Sequence, residues 1–481
     1  MLRSPSDKAA AYAALAILAL LLLPLLRIAQ YSVPWYDDFN YGLYVKNAVA
    51  EGADIIGALK AAFECVRVQW YAWQGTYSSV FFMALMPAVW GEEYYFLGPL
   101  FLIIILTVSV YTFMHVILTD IFEVGRYQSI TVSAVTAALC IVLIHSSQTG
   151  FYWYNGGVHY VGMHSFLLLL VSVCIRLACT RKISSRAGYM LLGVIMAVCV
   201  AGSNYVTALQ GGVVIFLMLL IIFIFKRSMC YFYVPIAVFY LFGFYKNVAA
   251  PGNRFRSAAY EGWGYSPAMS VIRSFAEAFK YMGTFTGWMT VAVMAVLLPV
   301  IVQIVRKSKF RFNYPALILA ASFCLYATGF TPSLYSLGHA GLGRTLNAVK
   351  ITFQLLLVLD EVYITGWAVK HFEKKEFKCP FAYYIVVAAA MLLIFAAAPN
   401  QAGVYSSYGA YYYVHTGEAY NFYQEYLGRL EILKSDEENV VFKKLNYTPW
   451  LLCMGDLGSD SQAEENQAVA SWYDKLSVVV E

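Results

Sequence analysis

Two carboxylates stand side by side in "QYSVPWYDDFNYG", residues 30–42, directly behind the first long apolar run of the chain. Asp37 and Asp38 are residues of the kind that serve as general bases. A carboxylate within hydrogen-bond reach of a hydroxyl can take its proton as the oxygen attacks. Read as an extended segment, the pair points its side chains in opposite directions. One then faces a ligand while the other orients a partner or binds a metal. If a divalent cation such as Mg or Mn takes part, Asp37 or Asp38 is its ligand. Trp35, Tyr36, Phe39 and Tyr41 surround the acids, and aromatic walls suit sugars or lipid headgroups. The plain alternative is an interfacial loop with hydrated acids.

Opposite chemistry gathers in two other segments. "YKNVAAPGNRFR" (245–256) carries Lys246, Arg254 and Arg256 behind an apolar run, where Pro251-Gly252-Asn253 predicts a turn. The planar fork of arginine matches phosphate oxygens two at a time; snorkelling to lipid headgroups is the alternative. "GLGRTLNAVK" (341–350) adds Arg344 just outside an apolar run and Lys350 within it. An ionisable residue at membrane depth is a functional candidate, and with Arg254 these two could extend one cationic cradle. His339, alone in its loop, reads as structural. In "FYWYNGGVHY" (151–160), Gly156 and Gly157 permit a tight turn among Trp153, Tyr154, His159 and Tyr160, which serve either as a lining or as interfacial anchors. Asn204 and Tyr205 could line the same cavity.

These groups need a membrane scaffold. Of 481 residues, 60% are hydrophobic and 13% charged, against about 25% charged in soluble domains. The net charge of +5 comes from basic residues in short loops, so it does not point to nucleic acid. Nine cysteines are scattered singly, without metal-site spacing, and read as small hydrophobes. Arg3 and Lys8 precede an apolar stretch from Ala9 to Leu26 with no small-x-small cleavage site behind it, which reads as a retained first span.

Taking about 20 apolar residues per crossing, spans fall near 9–29, 94–118, 129–145, 160–179, 188–204, 209–225, 229–245, 284–305, 314–330, 347–369 and 381–398. The stretch 77–90 is apolar but only 14 residues long, and reads as re-entrant or interfacial; as a tilted crossing it would bring the total to twelve. The fold class is therefore a polytopic α-helical membrane protein of about 11–12 transmembrane helices. Basic loops orient it: Arg181, Lys182 and Arg186; Lys226 and Arg227; Arg306, Lys307, Lys309 and Arg311; and Lys370, Lys374, Lys375 and Lys378 face the cytoplasm. The segments 30–76, 146–159, 202–212, 246–283 and 331–346 then face outward, with the chain from Asn400. That tail (400–481) alternates a helical pattern in "AYNFYQEYLGRLEILKS", a strand in "NVVFKKL", a helix in "SQAEENQAVASWYDKL" and a strand in "SVVV". It predicts a small external α/β domain beside a membrane domain of residues 1–399.

A first span followed at once by an outer acidic pair resembles the GT-C superfamily of polyprenyl-phosphate-sugar-dependent glycosyltransferases. "YDDFNYG", "FYWYNGGVHY", "APGNRFR" and "GRTLN", in this order, are similar to the recurring elements of a poorly characterised bacterial branch of it, and the likeness covers most of the chain. The resemblance implies inverting transfer on the outer face of the bacterial cytoplasmic membrane, from a polyprenyl-phosphate sugar donor to a cell-envelope glycan, teichoic acid or lipid acceptor. It makes Asp37 the catalytic base with Asp38 its neighbour. From the residues themselves, Arg254, Arg344, Lys246, Arg256 and Lys350 are the candidates for the donor phosphate, and Tyr36, Tyr41, Trp153, Tyr154, His159 and Asn204 for the lining around sugar and acceptor. Metal dependence varies within the superfamily. "GSNYV" (202–206) departs from the pattern by lacking an acid in that turn. The rival readings are a transporter or flippase of lipid-linked glycan, favoured by Asp360 and Glu361 inside a span, and a non-catalytic envelope assembly protein.

Overall fold

A computed structural model describes residues 7–372 and 379–481. Arg3, Lys374, Lys375 and Lys378, used above for orientation, lie outside the described residues. The chain is a polytopic helical membrane protein. Eight helices among the described residues are long and apolar enough to cross a membrane. All eleven expected spans fall on helices, but three miss the criterion. Arg126–Val142 has 17 residues and Phe381–Ala396 has 16, while Gly343–Phe372 runs for 30 residues and carries Lys350, Asp360 and Glu361. Exposed Leu20, Ile104, Phe216, Ile221 and Leu392 on these helices make sense against lipid tails.

The helices run between two chemically distinct ends. At one end the basic loops are tied together: Lys370 Nζ donates to the carbonyls of Arg306 and Ser308, Ser308 Oγ to that of Phe122, and Lys226 Nζ to that of Ala178. At the other end of the same helices lie Tyr95, His159, Asn204, Asn247 and Arg344.

The segment 30–76 is helical rather than a loop. Helix α1 (Asp7–Ile28) is followed by α2 (Asp37–Ala50), α3 (Ile55–Ala72) and α4 (Tyr77–Ala84). These form a helical layer at the second end. At eight residues, α4 is about 12 Å long, less than half a hydrocarbon core; a short turn at Pro87–Trp90 follows it. Two close approaches lock the layer onto the bundle. A Cβ on Gly75 would come within 1.8 Å of the Asn247 carbonyl oxygen, and one on Gly202 within 2.3 Å of the Tyr77 ring.

Two expected turns are wound as helix. Pro251 is the N-cap of a helix Gly252–Ala259, consistent with the ease with which proline starts helices. "FYWYNGGVHY" is a short α-helix, Tyr154–Gly157, between two π-helical turns, Gln148–Tyr152 and Val158–Gly162. Its glycines serve contact rather than turning, since a Cβ on Gly157 would meet Leu102 at 2.4 Å.

The four elements the tail pattern predicts are present: helices Glu418–Leu433 and Glu464–Trp472, and parallel strands β1 (Asn439–Phe442) and β2 (Ser477–Val480) in register Val440 to Val478. Apolar residues of this segment, Phe422, Val440, Trp472 and Val478, join the same buried cluster as Phe39 and Val45 of α2.

Candidate functional site

The acidic pair opens α2, where negative charge is favoured by the helix dipole. This corrects the extended reading. In the first turn of a helix the two side chains diverge by about 100°, and their environments differ. Asp38 is fully buried and surrounded by donors: Trp35 N–H at 3.0 Å and Tyr95 O–H at 2.7 Å reach Oδ2, and Asn155 N–H at 2.9 Å reaches Oδ1. Burial pushes its pKa up to about 7 while the three donors pull the other way. Such a carboxylate is an anchor, tying α2 to the segment 151–160.

Asp37 is open. Its backbone carbonyl accepts Asn155 Nδ2 at 2.7 Å, but among the described residues no donor engages its carboxylate. The group is recessed rather than exposed, and burial raises its pKa. Arg344 and then Arg256 oppose that rise, while Glu464 and Glu465 add to it. A recessed carboxylate with a raised pKa and free oxygens is a better proton acceptor than an ordinary surface aspartate.

Both arginines are held in place. Arg344 lies in the first turn of Gly343–Phe372, where a cation opposes the helix dipole. Its guanidinium is stacked over the Trp153 ring, 4.9 Å from the centroid, and Trp153 Nε1 donates to the Trp35 carbonyl at 3.2 Å. Arg256 Nη1 donates to Gln74 Oε1 at 2.8 Å, and Gln74 Nε2 to the Tyr41 hydroxyl at 2.6 Å. Trp73 lies under the same guanidinium at 5.8 Å. His159 lies within the field of both arginines; it is buried, and its Nδ1 has no partner among the described residues.

Other expected residues sit differently. Arg254 is exposed: two positions from Arg256 on a helix is a half turn, and Arg256 is the one directed inward. The pairing of Arg254 with Arg344 is therefore corrected to Arg256 with Arg344. Lys246 is exposed over the Phe242 ring, and Lys350 lies over Phe285 at 5.6 Å. Asn204 is a helix cap, its Oδ1 accepting from Thr207 N–H at 3.0 Å and its Nδ2 donating to the His159 carbonyl at 2.5 Å. Tyr154 is buried, its hydroxyl donating to the Phe82 carbonyl at 3.1 Å. Tyr41 is buried behind Gln74. Tyr36 points its hydroxyl at Glu464. Tyr95, Asn155, Gln74 and Glu464 are contributors that sequence reasoning missed. Asn155 alone had a signal, its place within the quoted 151–160 segment.

Comparison with protein-family models, with curated proteins and with solved structures finds no match.

The donor set fits a divalent cation poorly. Both oxygens of Asp38 are engaged, Arg344 and Arg256 act on Asp37 as positive charges, and no cluster of three or more His, Cys, Asp or Glu side chains among the described residues could hold a metal. The chemistry of the site is that of one carboxylate without a donor among the described residues, in the field of two anchored guanidinium groups.

Proposed function

We propose that this chain is an inverting glycosyltransferase of the outer face of a bacterial cytoplasmic membrane, moving a sugar from a polyprenyl-phosphate donor to a hydroxyl of a cell-envelope glycan, teichoic acid or lipid. The observation that carries the reading is the division of labour in the acidic pair: Asp38 is engaged by three donors and structural, while the Asp37 carboxylate has no donor among the described residues and lies in the positive field of Arg344 and Arg256. Asp37 takes the proton of the acceptor hydroxyl as its oxygen bonds to the anomeric carbon. The bond from that carbon to the phosphate oxygen breaks with its electron pair, and polyprenyl phosphate leaves with its charge met by the two guanidinium groups. Fixed, partly desolvated cations are effective at stabilising such developing charge. The indole rings of Trp153 and Trp73 lie against the two guanidinium groups, apolar surface that suits a site where water must be kept from the activated donor.

The basic residues gathered at the opposite end support this sidedness. A polyprenyl phosphate keeps its head at the interface, and α2 begins shortly after the first apolar helix ends.

The test is incubation of purified protein with polyprenyl-phosphate-linked labelled sugars and an envelope extract. Label in a polar acceptor supports the reading. Label that only crosses the bilayer of a reconstituted vesicle, still joined to lipid, would assign a flippase instead.

A further inference from the structure

A side chain of the C-terminal segment bonds the residue that precedes Asp37. Tyr36 precedes Asp37 with φ 36° and ψ −94°, a region that side chains other than glycine rarely occupy and that the surroundings must hold in place. Its hydroxyl donates to Glu464 Oε2, 428 residues along the chain. The helix bearing Glu464 also clamps the body of α2. Phe39 meets the Trp472 ring edge-on at 5.4 Å, and Lys46 Nζ donates to the Trp472 carbonyl and lies 3.8 Å from Asp474. The contact is tight, since a Cβ on Gly42 would stand 3.1 Å from the Trp472 ring.

We propose that Glu464 is a positioning residue: it pins Tyr36, and through that strained backbone fixes where the Asp37 carboxylate points. The tail thus belongs to the working site. Only the kinetic part of the test rests on the glycosyl-transfer reading.

Glu465 supplies the control. Both glutamates act on Asp37 as negative charges, against Arg344 and Arg256, and Asp38, Tyr36 and Tyr41 feel its charge as well. Among the described residues only Glu464 bonds the Tyr36 hydroxyl. Glu464→Ala removes charge and bond, Glu464→Gln removes charge but keeps an acceptor, and Glu465→Gln removes charge alone.

In full-length purified protein, Glu464→Ala should lower kcat about tenfold or more, as misplacement of a reacting group does. Glu464→Gln should restore it to within about threefold of wild type, the range of variation expected for a retained contact. Both glutamine variants should move the acid limb of kcat/KM to lower pH, because a lost negative charge favours the Asp37 anion. An unchanged kcat in Glu464→Ala, or equal damage from Glu465→Gln, would overturn the proposal. Infrared difference spectra of the Asp37 carboxylate, with Asp37→Asn as the blank, need no sugar donor. An altered band in Glu464→Ala that Glu464→Gln restores supports positioning even if no transfer is found. An identical band in a transferring enzyme removes positioning and leaves the transferase reading intact.

Discussion

The guanidinium of Arg344 lies 4.9 Å from the centre of the Trp153 ring and is the strongest positive influence on Asp37. The stack holds the guanidinium over the Trp153 ring while its charge still acts on Asp37. Arg344→Ala should raise the pKa of Asp37 further, since a cation that favours its anion is gone, and the acid limb of kcat/KM should move to higher pH. Arg344→Lys keeps the charge and loses the fork, so that limb should stay in place while donor affinity falls about tenfold. A pH–rate series on the two variants checks both halves.

Arg256 and Arg254 should separate cleanly. Arg256→Ala removes a cation anchored on Gln74 and felt by Asp37, and should weaken binding of polyprenyl phosphate about 10- to 100-fold, the worth of one charge-assisted bond. Arg254→Ala acts on an exposed side chain and should stay within about twofold, as surface changes do. Titration of the lipid phosphate onto detergent-solubilised protein reads both, and equal losses would contradict the assignment.

Asp38→Asn should damage the fold more than the chemistry alone requires. An amide presents one acceptor oxygen where three donors converge, and its NH₂ group faces one of those donors unpaired. Each lost buried bond costs about 1–3 kcal/mol, so the thermal midpoint should fall by several degrees. Asp37→Asn, which breaks no bond of the carboxylate among the described residues, should melt within about 1 °C of wild type, a shift corresponding to a few tenths of a kcal/mol. Equal melting of both variants would remove the anchor role.

Much of this was legible in the chain. The apolar runs marked the helices because a span needs about 20 such residues, and the tail pattern marked its two helices and two strands. The acidic pair, the arginine segments and "FYWYNGGVHY" do converge. Which acid is free was not legible, because it depends on Tyr95 and Asn155, 57 and 117 positions away. The choice of Arg256 over Arg254 depends on helical phase in a segment whose Pro-Gly pair reads as a turn. The segment 30–76 looked like a loop because its helices lie on the bundle and need no continuous apolar run. Glu464 had no signal at all in the local sequence.

Topology has its own test. Asp460 is exposed in the C-terminal segment, on the side of the bundle that carries Asp37. A cysteine there should react with a membrane-impermeant thiol reagent in intact spheroplasts. Labelling that appears only after lysis would place the site end in the cytoplasm.

The most direct measurement is the rate and stereochemistry of sugar transfer by Asp37→Asn beside wild type. The substitution keeps the shape of the side chain and removes its capacity to take a proton, and a general base is worth about 10²–10⁴-fold. The variant should fold, bind polyprenyl phosphate as wild type does, and lose turnover by that factor, while wild type gives a product of inverted anomeric configuration by NMR. Full activity in Asp37→Asn, or retained configuration in the wild-type product, would contradict the account.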